Sequence, residues 1–199
     1  MKHSLRLTMI LLGILGFLIG AFGIPSLQEC VEHAQVLAGV VSYPSDNPFR
    51  ICQIKAWALP TQLSAVALCL GIPELLLCRI VSGLTAMVAY QALGLCIWLI
   101  LGNAFTVAAL TVLIVQTGAY SLGISYPILV LPQFYTFGSI GLSWMVLSVM
   151  LIAAERQRIG GFLLGLGLSV HVSLAVWTIP IVAYSSSSMI ALRESKQTF

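Results

Sequence analysis

The stretch IVSGLTAMVAYQALGLCIWLIL, residues 80–101, contains no charged residue. As an α-helix rising 1.5 Å per residue, it is long enough to cross the roughly 30 Å of hydrocarbon in a bilayer. The rest of the chain has the same character, since 59% of its 199 residues are hydrophobic and only 8% are charged. A water-soluble domain carries about a quarter of its residues as charged side chains. The composition therefore excludes a soluble globular enzyme and a disordered chain, and it predicts an integral membrane protein.

The apolar segments predict an all-α fold, a polytopic transmembrane helix bundle formed by a single membrane domain, 1–199. The spans are expected near residues 7–23, 77–101, 104–122, 137–154 and 160–184. Basic residues favour the cytoplasmic side, and here Lys2 and Arg6 precede the first span while Arg156 and Arg158 follow the fourth. We therefore expect a multi-pass protein with a cytoplasmic N-terminus.

Three features of this topology have alternatives. The first segment, which ends in Ala21-Phe22-Gly23, is also similar to a signal peptide with a small-residue cleavage site. The apolar run 63–72 is too short to span, so we expect it to lie on or in the membrane interface. The tail with Arg193 and Lys196 falls on the far side of the membrane, which its basic residues do not favour. That misfit indicates an extra re-entry or a chain that normally continues.

Residues 25–76 are expected to form a large extracytoplasmic loop that contains interfacial amphipathic helices. An apolar stripe between Leu27 and Val41 predicts a helix lying flat on the membrane. Glu29, Glu32 and His33 share a face of this helix, where they could hold a divalent cation or move protons. The structural alternatives are a solvated helix face for Glu32 and His33, and a capping box in which Glu29 pairs with the serine at position 26.

Asp46 is the one aspartate of the chain and lies between two prolines, Pro44 and Pro48. Prolines restrict the backbone to extended or turned forms, and Asn47 is suited to cap the helix that follows. A carboxylate held on such a turn above the bilayer could act as a general base or a metal ligand. The alternative is a turn aspartate that bonds its own backbone.

The run Tyr43-Pro44-Ser45-Asp46-Asn47-Pro48-Phe49, after Glu32-His33-Ala34, resembles the first loop of C-type membrane glycosyltransferases, the GT-C superfamily. Ser82-Gly83-Leu84, Gly138-x-x-Gly141-Leu142-Ser143 and Gly160-Gly161-Phe162 extend the resemblance over the N-terminal membrane half of such an enzyme. It implies transfer of a sugar from a polyprenyl-phosphate donor at the extracytoplasmic face. It also implies that Asp46 is catalytic, with Glu32 as a weaker second candidate.

Three departures from the family pattern suggest a chain that is truncated or inactive alone. The family's closely spaced pair of carboxylates is absent, because Asp46 is followed by Asn47. The chain has fewer predicted spans than members of the family. Finally, His171 is followed by Val172 where many relatives have His-Pro.

In the enzyme hypothesis, Arg79, His33 and His171 are candidate substrate-binding residues. Arg79 would face a lipid phosphate, and a divalent cation, Mg²⁺ or Mn²⁺, would neutralise phosphate charge as a cofactor. No metal ligand is assigned. The partners expected are membrane lipids and a lipid-linked sugar donor, and the net charge of +3 is too small to indicate nucleic acid.

Two non-enzymatic hypotheses remain beside this one. The first is a membrane subunit or scaffold that packs on a partner subunit through glycine faces, Gly16 with Gly20 and Gly161 with Gly165. The second is a small transporter, which would need charges or broken helices at mid-membrane, and only His171 and Gln91 hint at such features. Among the cysteines, Cys30 and Cys52 could form a disulfide, or they could simply pack as small apolar residues.

Overall fold

The computed structural model of the chain describes residues 3–23, 28–118 and 137–197. Within these ranges the backbone is helical and contains no strand, which confirms the predicted all-α class for the described part of the chain. The helices are α1 (His3–Leu18), continued by a π-helical turn (Ile19–Gly23), α2 (Glu29–Leu37), α3 (Pro48–Lys55), α4 (Leu59–Cys69), α5 (Glu74–Leu101), α6 (Ala104–Gly118), α7 (Phe137–Ala153), α8 (Gln157–Val170) and α9 (Val172–Gln197). The predicted loop 123–136 and the serine at position 26 lie outside the described residues.

Two helices of the described chain are long and apolar enough to cross a membrane. They are Ser4–Gly23, with 20 residues, and Glu74–Leu101, with 28 residues. Their positions agree with the first two predicted spans. The apolar parts of the other helices have only 10–17 residues, among them α7 with 17 residues and Val172–Ser185 within α9.

The first of these helices packs along the second through glycines. A Cβ built on Gly20 would lie 2.5 Å from the carbonyl oxygen of Ser82, and one on Gly16 would lie 2.9 Å from that of Ala86. Because any side chain at these positions would push the two backbones apart, Gly16 and Gly20 allow the close approach typical of helices in lipid. The close helix packing predicted for this glycine pair is confirmed, but its partner is α5 of the same chain and not another subunit.

The α5–α6 connection is a tight turn of two residues. Gly102 ends α5 in the left-handed region with φ of +67°, which is accessible to glycine at little cost. The Asn103 side chain then accepts the backbone N–H groups of Phe105 (2.9 Å) and Thr106 (3.3 Å) and so caps α6. The two helices consequently lie side by side.

Helices α7 and α8 form an antiparallel pair in which small residues face the partner helix. A Cβ on Gly160 would lie 2.8 Å from the Ser148 carbonyl oxygen, while Gly141 at the other end of the pair faces the side chain of His171. By contrast, nothing lies within 4 Å of a Cβ on Gly161 or Gly165. The predicted packing of that second glycine pair therefore does not occur within the described chain.

The predicted span 160–184 is broken at His171, whose backbone is extended with φ of −155° and ψ of 95°. A Cβ on Gly167 would lie 3.7 Å from the Cβ of Ala175, although a continuous helix would separate two such positions by about 12 Å. Leu164 and Ala175 also belong to one buried cluster with Met145. The chain therefore folds back at His171, and the predicted span 160–184 consists of two helices, α8 and α9.

Polarity is inverted relative to a water-soluble protein. Small and hydroxyl side chains are buried between the helices: Ser82, Thr85, Thr111, Ser139, Ser143 and Ser148. Large apolar side chains point outward, among them Leu7, Ile10, Ile14, Ile100, Phe105, Trp177 and Ile181. In water the exposed side chains would have to be solvated, whereas in lipid small residues at helix contacts and apolar residues outside are the stable arrangement.

Candidate functional site

The candidate site is the cap, which we define as α2, α3, α4 and the turns between them, residues 29–69. Its helix α2 buries the apolar stripe of Cys30, Val31 and Ala34 completely. Cys30 and Val31 form a cluster with Leu77 and Cys78 of α5. The expectation that this stripe lies on the membrane is therefore wrong, because it packs on other helices of the protein.

Glu29 joins the cap to the helix bundle. Its carboxylate oxygen Oε2 accepts the backbone N–H of Phe137 at 2.8 Å, and Phe137 is the first residue of α7. A carboxylate at a helix N-terminus satisfies a free N–H group and interacts favourably with the helix dipole. The role of Glu29 is thus structural, as the capping-box alternative proposed, but the helix that it caps is α7.

His33 lies one turn after Glu29 and packs on the same residue of α7. Its ring centroid is 5.0 Å from that of Phe137, with an angle of 42° between the ring planes. Burial lowers the pKa of His33, and the neighbouring charges of Glu29 and Glu32 only partly oppose this effect. The imidazole is therefore a neutral packing group near pH 7, and it closes the contact between the cap and α7.

Asp46 lies on an exposed turn at the edge of the cap. The turn is closed by the backbone N–H of Asn47, which donates to the Pro44 carbonyl oxygen at 3.1 Å. The Asn47 Oδ1 then accepts the N–H groups of Phe49 (2.9 Å) and Arg50 (3.4 Å) at the start of α3. The predicted capping role of Asn47 is confirmed. Tyr43 and Phe49 meet edge to face across the turn, with ring centroids 5.6 Å apart. These contacts hold the turn while leaving the Asp46 carboxylate open to solvent.

The other acidic candidate, Glu32, is also exposed on α2. Within the described residues, no group of three or more histidine, cysteine, aspartate or glutamate side chains is arranged to hold a metal ion. A bound Mg²⁺ or Mn²⁺ therefore stays a hypothesis.

Arg79 is exposed on the second turn of α5. Its guanidinium carbon lies 5.9 Å from the centre of the Phe22 ring, at the end of the first long helix. This is a cation–π contact, and it leaves the guanidinium free to reach solvent or a headgroup. Arg79 therefore belongs to the junction between the first long helix and α5, where it contacts Phe22.

His171 occupies the break between α8 and α9. Its Nδ1 lies 3.1 Å from the Ser173 hydroxyl and accepts the backbone N–H of Leu174 at 3.4 Å. The imidazole therefore caps the start of α9, and its side chain packs on Gly141. These contacts explain the place of His171 at a backbone break.

A buried polar cluster lies beneath the cap, and sequence reasoning did not predict it. Gln28 is fully buried and donates from Nε2 to the Ser82 hydroxyl at 2.9 Å, which fixes the start of α2 on α5. The Cys30 thiol is bonded to Ser64 of α4, and burial raises the pKa of this thiol to about 12. The only available signal was the polar residue Gln28 beside an apolar helical stripe.

The five cysteines are all free. Cys30 is buried in the cluster beneath the cap, whereas Cys52 is exposed on α3. The hypothesised disulfide between them is therefore not formed, and Cys30 is a packing residue as the alternative proposed.

Comparisons of the chain with protein-family models, with curated proteins and with solved structures gave no match.

Proposed function

We propose that the chain is a multi-pass integral membrane protein with a cytoplasmic N-terminus. The inverted polarity of its surface and its two long apolar helices support this placement. α1, α5, α6 and α7 supply four crossings. The fifth predicted crossing becomes a helical hairpin, α8 and α9, that returns toward the cytoplasm. This arrangement removes the misfit of the basic tail, because Arg193 and Lys196 then lie on the same side as Arg156 and Arg158.

Within this placement, we propose that the chain is the N-terminal membrane part of a GT-C-type glycosyltransferase that uses a lipid-phosphate-linked sugar. The carrying observation is the Asp46 carboxylate, which lies exposed on a braced turn. The support beneath it is also well fixed, since Glu29 and Gln28 tie the cap to α7 and α5. A general base needs both access to substrate and a defined position.

In the proposed reaction, Asp46 accepts the proton of an acceptor hydroxyl. The hydroxyl oxygen attacks the anomeric carbon, and the bond from that carbon to the lipid phosphate breaks. Arg79, at the head of α5, is suited to contact the departing phosphate because its planar guanidinium matches phosphate oxygens. Glu32 is the second exposed acid of the cap, while His33 and Glu29 hold the cap in place.

The test is Asp46→Asn in membranes that contain the complete transferase, assayed with a radiolabelled lipid-phosphate sugar. Loss of a general base is expected to lower turnover by about 10²–10⁴-fold. Ser45→Ala, on the same exposed turn, serves as the matched control and should retain activity. Undiminished turnover in Asp46→Asn, at equal protein abundance, would contradict the assignment.

A second candidate function is a non-catalytic subunit that packs against a partner helix. The observation in its favour is the exposed pair Gly161 and Gly165 on α8, which has no neighbour within 4 Å in the described chain. Gly161→Cys should form a crosslink to a partner protein in native membranes under this hypothesis. Crosslinking at Gly161 together with full activity of Asp46→Asn would favour the subunit over the enzyme.

A further inference from the structure

Helix α4 has a burial pattern opposite to that of a helix on the surface of a water-soluble domain. Its hydroxyl residues Thr61 and Ser64 are buried, with 1% and 2% of their surface exposed. Its exposed residues form one stripe of apolar character: Leu63, Val66, Cys69 and Leu70. We call this set the α4 stripe. Leu63 and Leu70 expose 62% and 77% of their surface.

This pattern also differs from that of an ordinary interfacial helix. Such a helix buries its apolar face in the membrane and keeps its polar face in water. In α4 the hydroxyl face turns toward the protein, where Ser64 bonds to Cys30 of α2. Apart from the half-buried Gln62, the side chains that face outward are apolar, so the surroundings that suit the α4 stripe are themselves apolar.

The position of α4 along the bundle identifies those surroundings. Ala67 and Leu68 pack on the cluster that contains Leu77 and Cys78 of α5. α4 therefore lies at the level of the first turns of the longer membrane-crossing helix. At 28 residues that helix is about 42 Å long, or about 12 Å more than the hydrocarbon, so its first turn lies near the boundary with the headgroups.

The surface beside α4 has the same character. After the turn at the end of α4, α5 begins with the exposed Glu74, and Leu75 and Leu76 follow with 66% and 49% of their surface exposed. Beyond Glu74, the α4 stripe is therefore followed by apolar residues at the start of a helix that is long and apolar enough to cross a membrane. A common apolar surface of this kind is typical of a site that membrane lipids or a partner cover.

We propose that the α4 stripe lies among lipid acyl chains, in the leaflet at the cap end of the bundle. The cap is then not wholly water-facing. α4 is a short helix held between α2 and the lipid, while the Asp46 turn and Glu32 face the solution. The proposal rests on the membrane placement given above and is independent of the glycosyltransferase assignment.

The native residue Cys69 provides the test, because it lies within the α4 stripe and is exposed. A full-length variant with Cys30, Cys52, Cys78 and Cys96 replaced by alanine is spin-labelled at Cys69 and reconstituted in phosphatidylcholine–phosphatidylglycerol vesicles. Collision with oxygen, which concentrates in acyl chains, is compared with collision with a water-soluble nickel chelate. Oxygen is expected to relax the label several-fold more effectively than the chelate.

Two labelled positions separate the possible failures. A label at Ser45→Cys, on the exposed turn, should respond mainly to the nickel chelate, and one at Ile14→Cys, on the outward face of α1, mainly to oxygen. If Cys69 responds to the chelate while Ile14→Cys responds to oxygen, the α4 proposal is overturned and the membrane placement stands. If both respond to the chelate, the membrane placement itself is wrong.

A label at Cys69 that neither reagent reaches would also overturn the proposal. It would mean that a second copy or a partner protein covers the α4 stripe. If the variant without the other cysteines does not fold, the label is moved to Val66→Cys with the exposed Cys52 and Cys69 and the partly buried Cys96 replaced. The buried thiols then remain in place, and the same excess of oxygen over the chelate is expected.

Discussion

Replacement of Glu29 tests whether the cap is fastened to α7. In Glu29→Ala, the Phe137 N–H loses a charged acceptor at 2.8 Å in a partly buried position. Loss of a helix cap costs about 0.5–2 kcal/mol, and a hydrogen bond to a charged group contributes about 1.5–3 kcal/mol. We therefore expect about 1–2 kcal/mol of lost stability. Glu29→Gln retains an acceptor oxygen but not the charge, so it should lose only about 0.3–1 kcal/mol.

The assay is unfolding of the full chain in mixed detergent micelles, followed by the fluorescence of Trp144 in a background where Trp57, Trp98 and Trp177 are replaced by phenylalanine. Trp144 reports on the right region because its indole N–H donates to the Leu163 carbonyl at 2.7 Å and so joins α7 to α8. Hydrogen exchange of the Phe137 amide supplies a local measurement. If this end of α7 opens together with the cap, a loss of one or two kcal/mol in the free energy of opening corresponds to about 5–30-fold faster exchange.

Glu32→Ala is the matched control, since Glu32 lies on the same helix and is exposed. It should change stability by less than about 0.5 kcal/mol. If Glu29→Ala and Glu32→Ala destabilise the protein equally, and Phe137 exchanges at the wild-type rate in both, the bond between the cap and α7 contributes nothing and the reasoning is refuted.

Three further outcomes are expected. Burial lowers the pKa of folded His33 below its ordinary 6.5, so the unfolded chain binds more protons than the folded one. The free energy of unfolding should therefore fall as the pH drops from about 6.5 to the lowered pKa. His33→Gln should flatten this part of a stability–pH curve, and an unchanged slope would refute the assignment. Gly20→Ala should lower the midpoint of thermal unfolding, at a cost of about 1–3 kcal/mol, because its Cβ would meet the Ser82 carbonyl. Gly161→Ala should be neutral or stabilising by up to about 1 kcal/mol, since its Cβ would meet nothing. Equal effects of the two substitutions would contradict the packing of α1 on α5. Ser195→Cys should react with an impermeant maleimide from the same side of the membrane as Gln157→Cys, and reaction from opposite sides would restore a single last crossing.

Local signals in the sequence predicted the local features well. The uncharged run 80–101 predicted most of α5, the longest described helix. Asn47 before Pro48 predicted a helix cap, and the structure contains this cap. The spacing of Gly16 and Gly20 predicted a close helix contact. These features succeed because a span, a cap or a small-residue face depends mainly on residues within a few positions of one another.

Features that depend on distant partners were not predicted. The stripe of α2 has the same period whether it faces lipid or protein, and only the fold shows that Cys30 and Val31 pack on α5. Glu29 caps a helix that begins 108 residues later, which no local motif can signal. The break at His171 also has no local signal, because no proline lies beside it. It depends instead on packing against Gly141 and on the cap of α9.

The most direct test of the account compares the accessibility of two positions in sealed, oriented vesicles. Ser45→Cys lies on the Asp46 turn of the cap, and Gln157→Cys begins α8 beside the basic turn. Each is introduced into a chain without other exposed cysteines and treated with a charged, impermeant maleimide. A lipid-embedded bundle with its cap outside predicts that the two positions react from opposite faces, Ser45→Cys from the extracytoplasmic one. Reaction of both positions from one face would contradict the account.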